Sequence, residues 1–181
     1  EYGGADIGYA SLTHSYLALV AHRKNDERAR AMACRCAAFL QHFLHRDGTV
    51  GGEYGSRNTA WFIPLGVVLD ASTDKASARL FHFLVTHIDS GEHALITDCL
   101  DDRYLAYLSP FYLLAAQAAT MLPPEALNAP TPRNESRLFE QAGLWSVEND
   151  SLKLVINLRK GGVFHLDLDD LPYVDNGYFG D

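Results

Sequence analysis

Apolar positions in the first two-thirds of the chain recur every three or four residues, the period of a helix that buries one face. Leu12, Tyr16, Leu19 and Val20 form one stripe and predict a helix over residues 10–22. Asn25 suits an N-cap, with Asp26 and Glu27 in a first turn where the helix dipole favours acids. Met32, Cys36, Phe39, Leu40 and Phe43 carry the period on to about residue 45. Pro64 opens a third helix that ends near Asp70, since the N–H that proline lacks has no helical partner in a first turn. Thr73 and Asp74 start a fourth, with Leu80, Phe83, Leu84 and His87 on one face and Phe81, Val85 and Ile88 on another. A helix apolar on so much of its circumference is packed between neighbours. Ser109-Pro110 reads as an N-cap followed by a first-turn proline, opening a fifth helix over 111–121.

The connections are unequal. Those near 23–25 and 71–73 are short, which makes the helices they join antiparallel neighbours. Segments 1–9, 46–59 and 90–109 are long, and an up-down arrangement gathers them on one rim, where a binding site is expected. A weak repeat fits this layout: Glu1-Tyr2-Gly3 recurs as Glu53-Tyr54-Gly55, with Asp6 over Asn58 and Tyr9 over Trp61. After residue 122 the pattern changes. A proline-rich linker over 123–135 leads to a stretch in which Leu152, Leu154, Ile156 and Leu158 alternate with Lys153, Val155, Asn157 and Arg159. Another strand is predicted over 144–147, and the turn Lys160-Gly161-Gly162 returns the chain to a partner over 163–168. Strands in succession without intervening helices indicate an antiparallel sheet, so the class is α+β: helix pairs over 1–122, linker, and a β unit over 136–181. Neither end reads as a natural terminus, so the expectation is a segment of a larger protein, with helix faces that await neighbours and favour self-association.

The 181 residues carry a net charge of −8, which argues against a nucleic-acid or anionic-membrane partner, both of which want clustered Lys and Arg. No apolar stretch is long enough to span a bilayer. Cys34 and Cys36 stand on different sides of a helix and read as small buried hydrophobes, and Cys99 has no partner by spacing, so no disulfide framework is present. No dinucleotide fingerprint, P-loop or Gly-x-Ser-x-Gly element calls for a cofactor.

Candidate chemistry concentrates in the glycine-rich run 47–59. Its glycines permit unusual backbone angles and close approach of a ligand. Arg57 and Asn58 precede the third helix, whose N-terminus favours an anion; a guanidinium fork and a neutral amide beside it suit a carboxylate or sulfate. The competing reading is a helix cap, with Arg57 paired to Glu53. With the repeated Tyr2 and Tyr54, the candidate substrate-binding set is Tyr2, Glu53, Tyr54, Arg57 and Asn58. Tyr9 and His14, entering the first helix, are the catalytic candidates, against a packed rim aromatic and a core histidine; a phenol transfers protons when neighbouring cations tune it. His42 and His45 lack a third ligand at metal-site spacing, as does His82, so no metal is expected. Asp101 and Asp102 read as loop residues before the fifth helix. Asp6 with Glu53 would be the carboxylate pair of a hydrolase, and a noncatalytic glycan-binding module would use the same rim.

The helix pairs with loops 1–9 and 51–59, the proline-rich linker, then Ala142-Gly143-Leu144-Trp145 and Asn157-Leu158-Arg159-Lys160-Gly161-Gly162, resemble heparinase II/III-type polysaccharide lyases and their relatives. The resemblance implies the last antiparallel helix hairpins of an incomplete (α/α) toroid followed by the first strands of an antiparallel β-sandwich. It implies an acidic, uronate-containing polysaccharide or oligosaccharide as partner, and β-elimination as the reaction. A cationic or amide group neutralises the sugar carboxylate, a base removes the C5 proton, and a tyrosine protonates the leaving oxygen. Gly8-Tyr9 resembles the family's tyrosine segment, and His165 the histidine supplied by its sheet domain. The family's Asn/His neutralising segment lies upstream and is absent from this chain. A periplasmic or extracellular setting would follow from the resemblance.

Overall fold

The computed structural model describes residues 4–88, 102–128, 133–169 and 171–175. Five helices, α1 (Ile7–Lys24), α2 (Glu27–Leu40), α3 (Leu65–Asp70), α4 (Lys75–His87) and α5 (Asp102–Ala119), precede five strands. These are β1 (Glu135–Phe139), β2 (Leu144–Glu148), β3 (Leu152–Asn157), β4 (Phe164–Leu168) and β5 (Leu171–Asp175). The α+β expectation therefore holds at the level of class.

Caps decide the helix boundaries. Asp6 starts α1 by accepting from the Tyr9 N–H. Asn25, expected to start the second helix, instead ends the first in the left-handed region at φ 51°, and Asp26 caps α2 by accepting from the N–H groups of Arg28 and Ala29. Helix α2 stops at Leu40, short of the expected 45, where the chain turns to form a bridge between Leu44 and Val50. Asp74 caps α4 as expected. The expected N-cap at Ser109 is wrong: α5 runs through Pro110. Proline cannot donate to the Ala106 carbonyl four residues back, but the Ser109 hydroxyl does so at 3.3 Å, which helps the turn to survive.

Helices α1 and α2 pack as one pair and α3 and α4 as another, with α3 also against α1 and α5. What joins them is an extended stretch, residues 59–63, laid across α1. Phe62 and Ile63 on it are wholly buried, as are Leu40, Phe43, Leu65 and Leu80 around it. Helix α1 admits this backbone because Gly8, Ser11, Ser15 and Ala18 make a face of small residues. Ser11 accepts from the Ile63 N–H at 2.9 Å, and Ser15 accepts from the Gly66 N–H at 3.1 Å. The serines thus satisfy a stretch that has no ladder of its own.

The sheet is an antiparallel meander in the order β1-β2-β3-β4-β5. Its alternation carries a surprise. The buried face is Ser146, Lys153, Val155, Asn157, His165 and Asp167, while Leu154, Ile156, Phe164 and Leu166 on the other face are only half-buried. The polar face is the one turned to the helices. Ser146 donates to the His42 carbonyl at 3.1 Å, and Asn157 donates to the Tyr54 carbonyl at 2.6 Å. Hydrogen bonds to loop backbone, not apolar contact alone, seat the sheet. β1 and β5 lie beyond the strands that alternation predicts, and the linker contains a 3-10 turn, Pro124–Leu127.

A methyl group at Gly66 would stand 2.8 Å from the Ser15 nitrogen and 2.9 Å from the His14 carbonyl carbon, both backbone atoms. Gly66→Ala should therefore push α1 from α3 and lower stability by about 1–3 kcal/mol, the usual cost of overpacking. Thermal unfolding measures it; an unchanged midpoint would mean that α1 is not held this closely.

Candidate functional site

Two clusters of polar side chains flank the glycine-rich loop. The first is on the rim. Tyr9, in the first turn of α1, is half-buried, and its ring meets Trp61 edge-on at 5.5 Å. Its phenol lies 3.0 Å from the Tyr104 hydroxyl on α5. The Arg57 guanidinium carbon sits 5.1 Å from the centre of the Tyr9 ring, a cation–π distance. Arg57 and Asn58 are exposed and both lie in the left-handed region, at φ 61° and 55°. Two consecutive non-glycine residues there are strained and persist only when the surroundings hold them.

Lys160, from the turn between β3 and β4, supplies much of that hold. Its ammonium donates to the Glu53 and Gly55 carbonyls at 2.8 and 3.1 Å and to Asn58 Oδ1 at 3.0 Å. From the other side, the Ala5 carbonyl accepts from the Ser56 N–H at 2.9 Å. Thr59 donates to Asp6 Oδ2 at 3.0 Å. Asp6 thus commits both oxygens to the fold, which weakens its pairing with Glu53 as a hydrolase dyad. The hydrogen bond to Tyr104 and burial push the Tyr9 phenol above its ordinary pKa, against the opposing charge of Arg57. At neutral pH Tyr9 keeps its proton, and its raised pKa makes it a weaker acid than a free phenol.

The second cluster fills the crevice between the loop and the sheet. The rings of His45 and His165 stack at 3.6 Å, 10° from parallel. His165 Nε2 is 2.9 Å from Asp167 Oδ1, while Asp167 Oδ2 accepts from the Arg46 N–H at 2.9 Å. Thr49 gives its hydroxyl proton to Asp47 at 2.7 Å, so its oxygen accepts from His45 Nδ1 at 2.8 Å. Burial, reinforced by His165, holds the His45 pKa well below the ordinary value, so the ring is neutral. Its Nε2 is then an acceptor, and the Tyr54 hydroxyl donates to it at 2.9 Å. A cleft of about 340 Å³ opens here, lined by His45, Thr49, Gly52, Glu53, His165 and Val174 among others.

The expected site residues divide. Tyr9, Arg57 and Asn58 come together on the rim, and Lys160 ties Asn58 to the Glu53 backbone. Tyr2 lies outside the described residues, as do Asp101 and Cys99. Tyr54 is 1% exposed, so it braces the loop through His45 rather than offering its ring to a ligand. His14 is fully buried on the small-residue face of α1, with Nε2 3.4 Å from Asp70 Oδ2, and is a core histidine away from the rim. Burial raises the Asp70 pKa, but contacts with His14 and His22 outweigh it and hold the carboxylate below its ordinary value. The expectation that Arg57 and Asn58 sit at a helix N-terminus is wrong, because residues 59–64 separate them from α3. Their outward presentation comes from the left-handed turn instead.

His42 and His45 diverge beyond the end of α2. His42 Nε2 faces the Arg133 guanidinium at 2.9 Å, and Arg133 also pairs with Glu135. Among the described residues no three His, Cys, Asp or Glu side chains gather to hold a metal. Tyr104, Trp61 and Lys160 complete the rim; Trp61 is marked by its place opposite Tyr9 in the weak repeat and Lys160 by the two glycines after it, while Tyr104 carries no signal. No known family, curated protein or solved structure gives a significant match to the chain.

Burial, aided by the Arg133 charge, lowers the His42 pKa to about 3. In the unfolded chain a histidine takes a proton near 6.5. Stability is therefore complete above about pH 6.5 and falls as the pH drops toward 3, because only the unfolded chain binds the proton. His42→Gln should flatten part of that fall in midpoints recorded between pH 8 and 4. Parallel profiles for parent and variant would assign the acid sensitivity to other groups.

Proposed function

We propose that this chain carries part of the substrate site of a polysaccharide lyase that cleaves uronate-containing polysaccharide by β-elimination. The observation that carries the reading is the pairing of Arg57 with Tyr9, an exposed guanidinium fixed over a phenol that retains its proton. Arg57, with the Asn58 amide beside it, neutralises the sugar carboxylate and so acidifies the C5 proton. As that proton leaves, the C4–O bond breaks, a C4=C5 double bond forms, and Tyr9 protonates the departing oxygen. The C5 proton passes to a base, for which the candidate among the described residues is His165, oriented by Asp167 and bordering the cleft on the other flank of the loop.

On this reading the helix pairs are the last hairpins of an incomplete (α/α) toroid of the heparinase II/III type, and the meander opens a β-sandwich. The half-buried outer face of Leu154, Ile156, Phe164 and Leu166 supports it, since a second sheet would cover such a face. An acidic polysaccharide is the partner that an Arg–Asn rim selects.

The test is steady-state kinetics of the intact protein on uronate polymers, following near-ultraviolet absorption of the new double bond. Tyr9→Phe removes one hydroxyl, so folding should survive while kcat falls about 10²–10⁴-fold. Arg57→Ala should raise KM as well as lower kcat, since a charged contact is lost in both ground and transition states. Near-normal turnover by Tyr9→Phe would make Tyr9 a packing residue. New reducing ends without absorption would indicate a hydrolase, and binding without products a glycan-binding module.

A further inference from the structure

Three successive carbonyls of the glycine-rich loop, those of Glu53, Tyr54 and Gly55, are all met by two side chains of the turn between β3 and β4. Asn157 takes the middle one, donating from Nδ2 to the Tyr54 carbonyl at 2.6 Å. Lys160 takes the outer two, Glu53 at 2.8 Å and Gly55 at 3.1 Å, together with Asn58 Oδ1 at 3.0 Å. The turn is shaped for this. Asn157 Oδ1 accepts from the Arg159 and Lys160 N–H groups at 2.9 and 3.0 Å, and Gly161 and Gly162 return the chain at φ 71° and 84°.

Three oxygens gathered round one point repel one another unless a cation stands between them, as carbonyls do when they replace an ion's hydration shell. An ammonium has three donors and no acceptor, and here each donor has its oxygen. Lys160 is thus an exposed cation beside the rim whose donors are already engaged, and it is not the group that receives a substrate carboxylate. Its effect is on the loop. Asn58 and its neighbour Arg57 stand in the left-handed region, where side-chain-bearing residues stay only when they are held.

We propose that the Glu53 and Gly55 carbonyls and Asn58 Oδ1 form a monovalent-cation site whose resident cation is the tethered ammonium of Lys160, which makes Lys160 the positioning residue for Arg57. A free ammonium ion has the same charge and the same donors, so it fits the site when the tether is removed. The cation site stands on these contacts alone, and its consequence for substrate rests on the lyase reading above.

Lys160→Ala opens the site to a free ion. Trp61 reports the loop by its emission, since its ring meets that of Tyr9, over which Arg57 lies; Trp145→Phe removes the other tryptophan. In that background Lys160→Ala should shift the Trp61 emission, and ammonium chloride should restore it saturably. Tetramethylammonium chloride at the same ionic strength, charged but without N–H donors, should not. On uronate polymer, Lys160→Ala should lower kcat/KM about ten- to a hundredfold, the usual result of a misplaced group, and ammonium should restore it. Adding Lys160→Ala to Arg57→Ala should lower kcat/KM little further, because both act through one guanidinium. A merely structural lysine would lower it in both backgrounds. Should Lys160→Ala fail to fold by circular dichroism, Lys160→Gln, which keeps the stem without the charge, must show the shifted emission. Parent-like emission in either folded variant, or a shift in Lys160→Ala that ammonium leaves in place, overturns the inference. If the protein turns over no uronate polymer, the lyase reading falls and the emission titration still decides the cation site.

Discussion

The backbone of residues 51–66 belongs to no sheet and, apart from the 3-10 turn Ser56–Asn58, only at its end to a helix, and the rest of the structure depends on how its hydrogen-bonding groups are met. Buried amides without partners would cost more than most packing gains. They are met by serines on α1, the Tyr112 hydroxyl on α5, the Ala5 carbonyl, the loop's own glycine turns, Asn157 on the polar face of the sheet and Lys160 in the β3–β4 turn. The same bonds that allow this segment to be buried also aim Arg57 outward. Site geometry and fold stability therefore share their causes.

Much of the fold was legible from local chemistry. The division into helices and strands follows from the change in period near residue 122, and Asp74 announces α4 because its carboxylate is where a first turn needs one. Errors arose where two local options compete. Asn25 both caps helices and adopts left-handed angles, and the second use won because Asp26 was available to cap α2. Pro110 would normally open a helix, but the Ser109 hydroxyl on the orphaned carbonyl lets an earlier start prevail. Alternation located β3 while leaving its orientation unknown, since hydrophobicity alone points Leu154 and Ile156 inward.

The candidate site was legible in part for the same reason. A run of glycines ending in Arg-Asn marks a loop that must present something, and Tyr9 stands in the first turn of the helix beside it. Burial is a tertiary property, and it removed His14 and Tyr54 from contact with a ligand. Nothing local to Lys160 or Tyr104 shows that they reach loops some hundred residues away, as the contacts Lys160–Asn58 and Tyr104–Tyr9 do. The stack of His45 on His165 likewise joins positions whose spacing carries no pattern.

The polar face that the sheet turns toward the helices has a calorimetric consequence. Heat capacity on unfolding rises with apolar area exposed and falls with polar area exposed. Parting the helical unit from the sheet exposes Ser146, Lys153, Asn157, His165 and Asp167 along with Leu144, Val155 and Phe139, the last packed on Phe39 and Phe43. Parting the helices from one another exposes Phe62, Ile63, Leu65 and Leu80. The polar groups offset part of the apolar area in the first event, so it carries less heat-capacity change for the surface it exposes than the second. Cooling weakens the cohesion of the helical core more than the seam between its two halves.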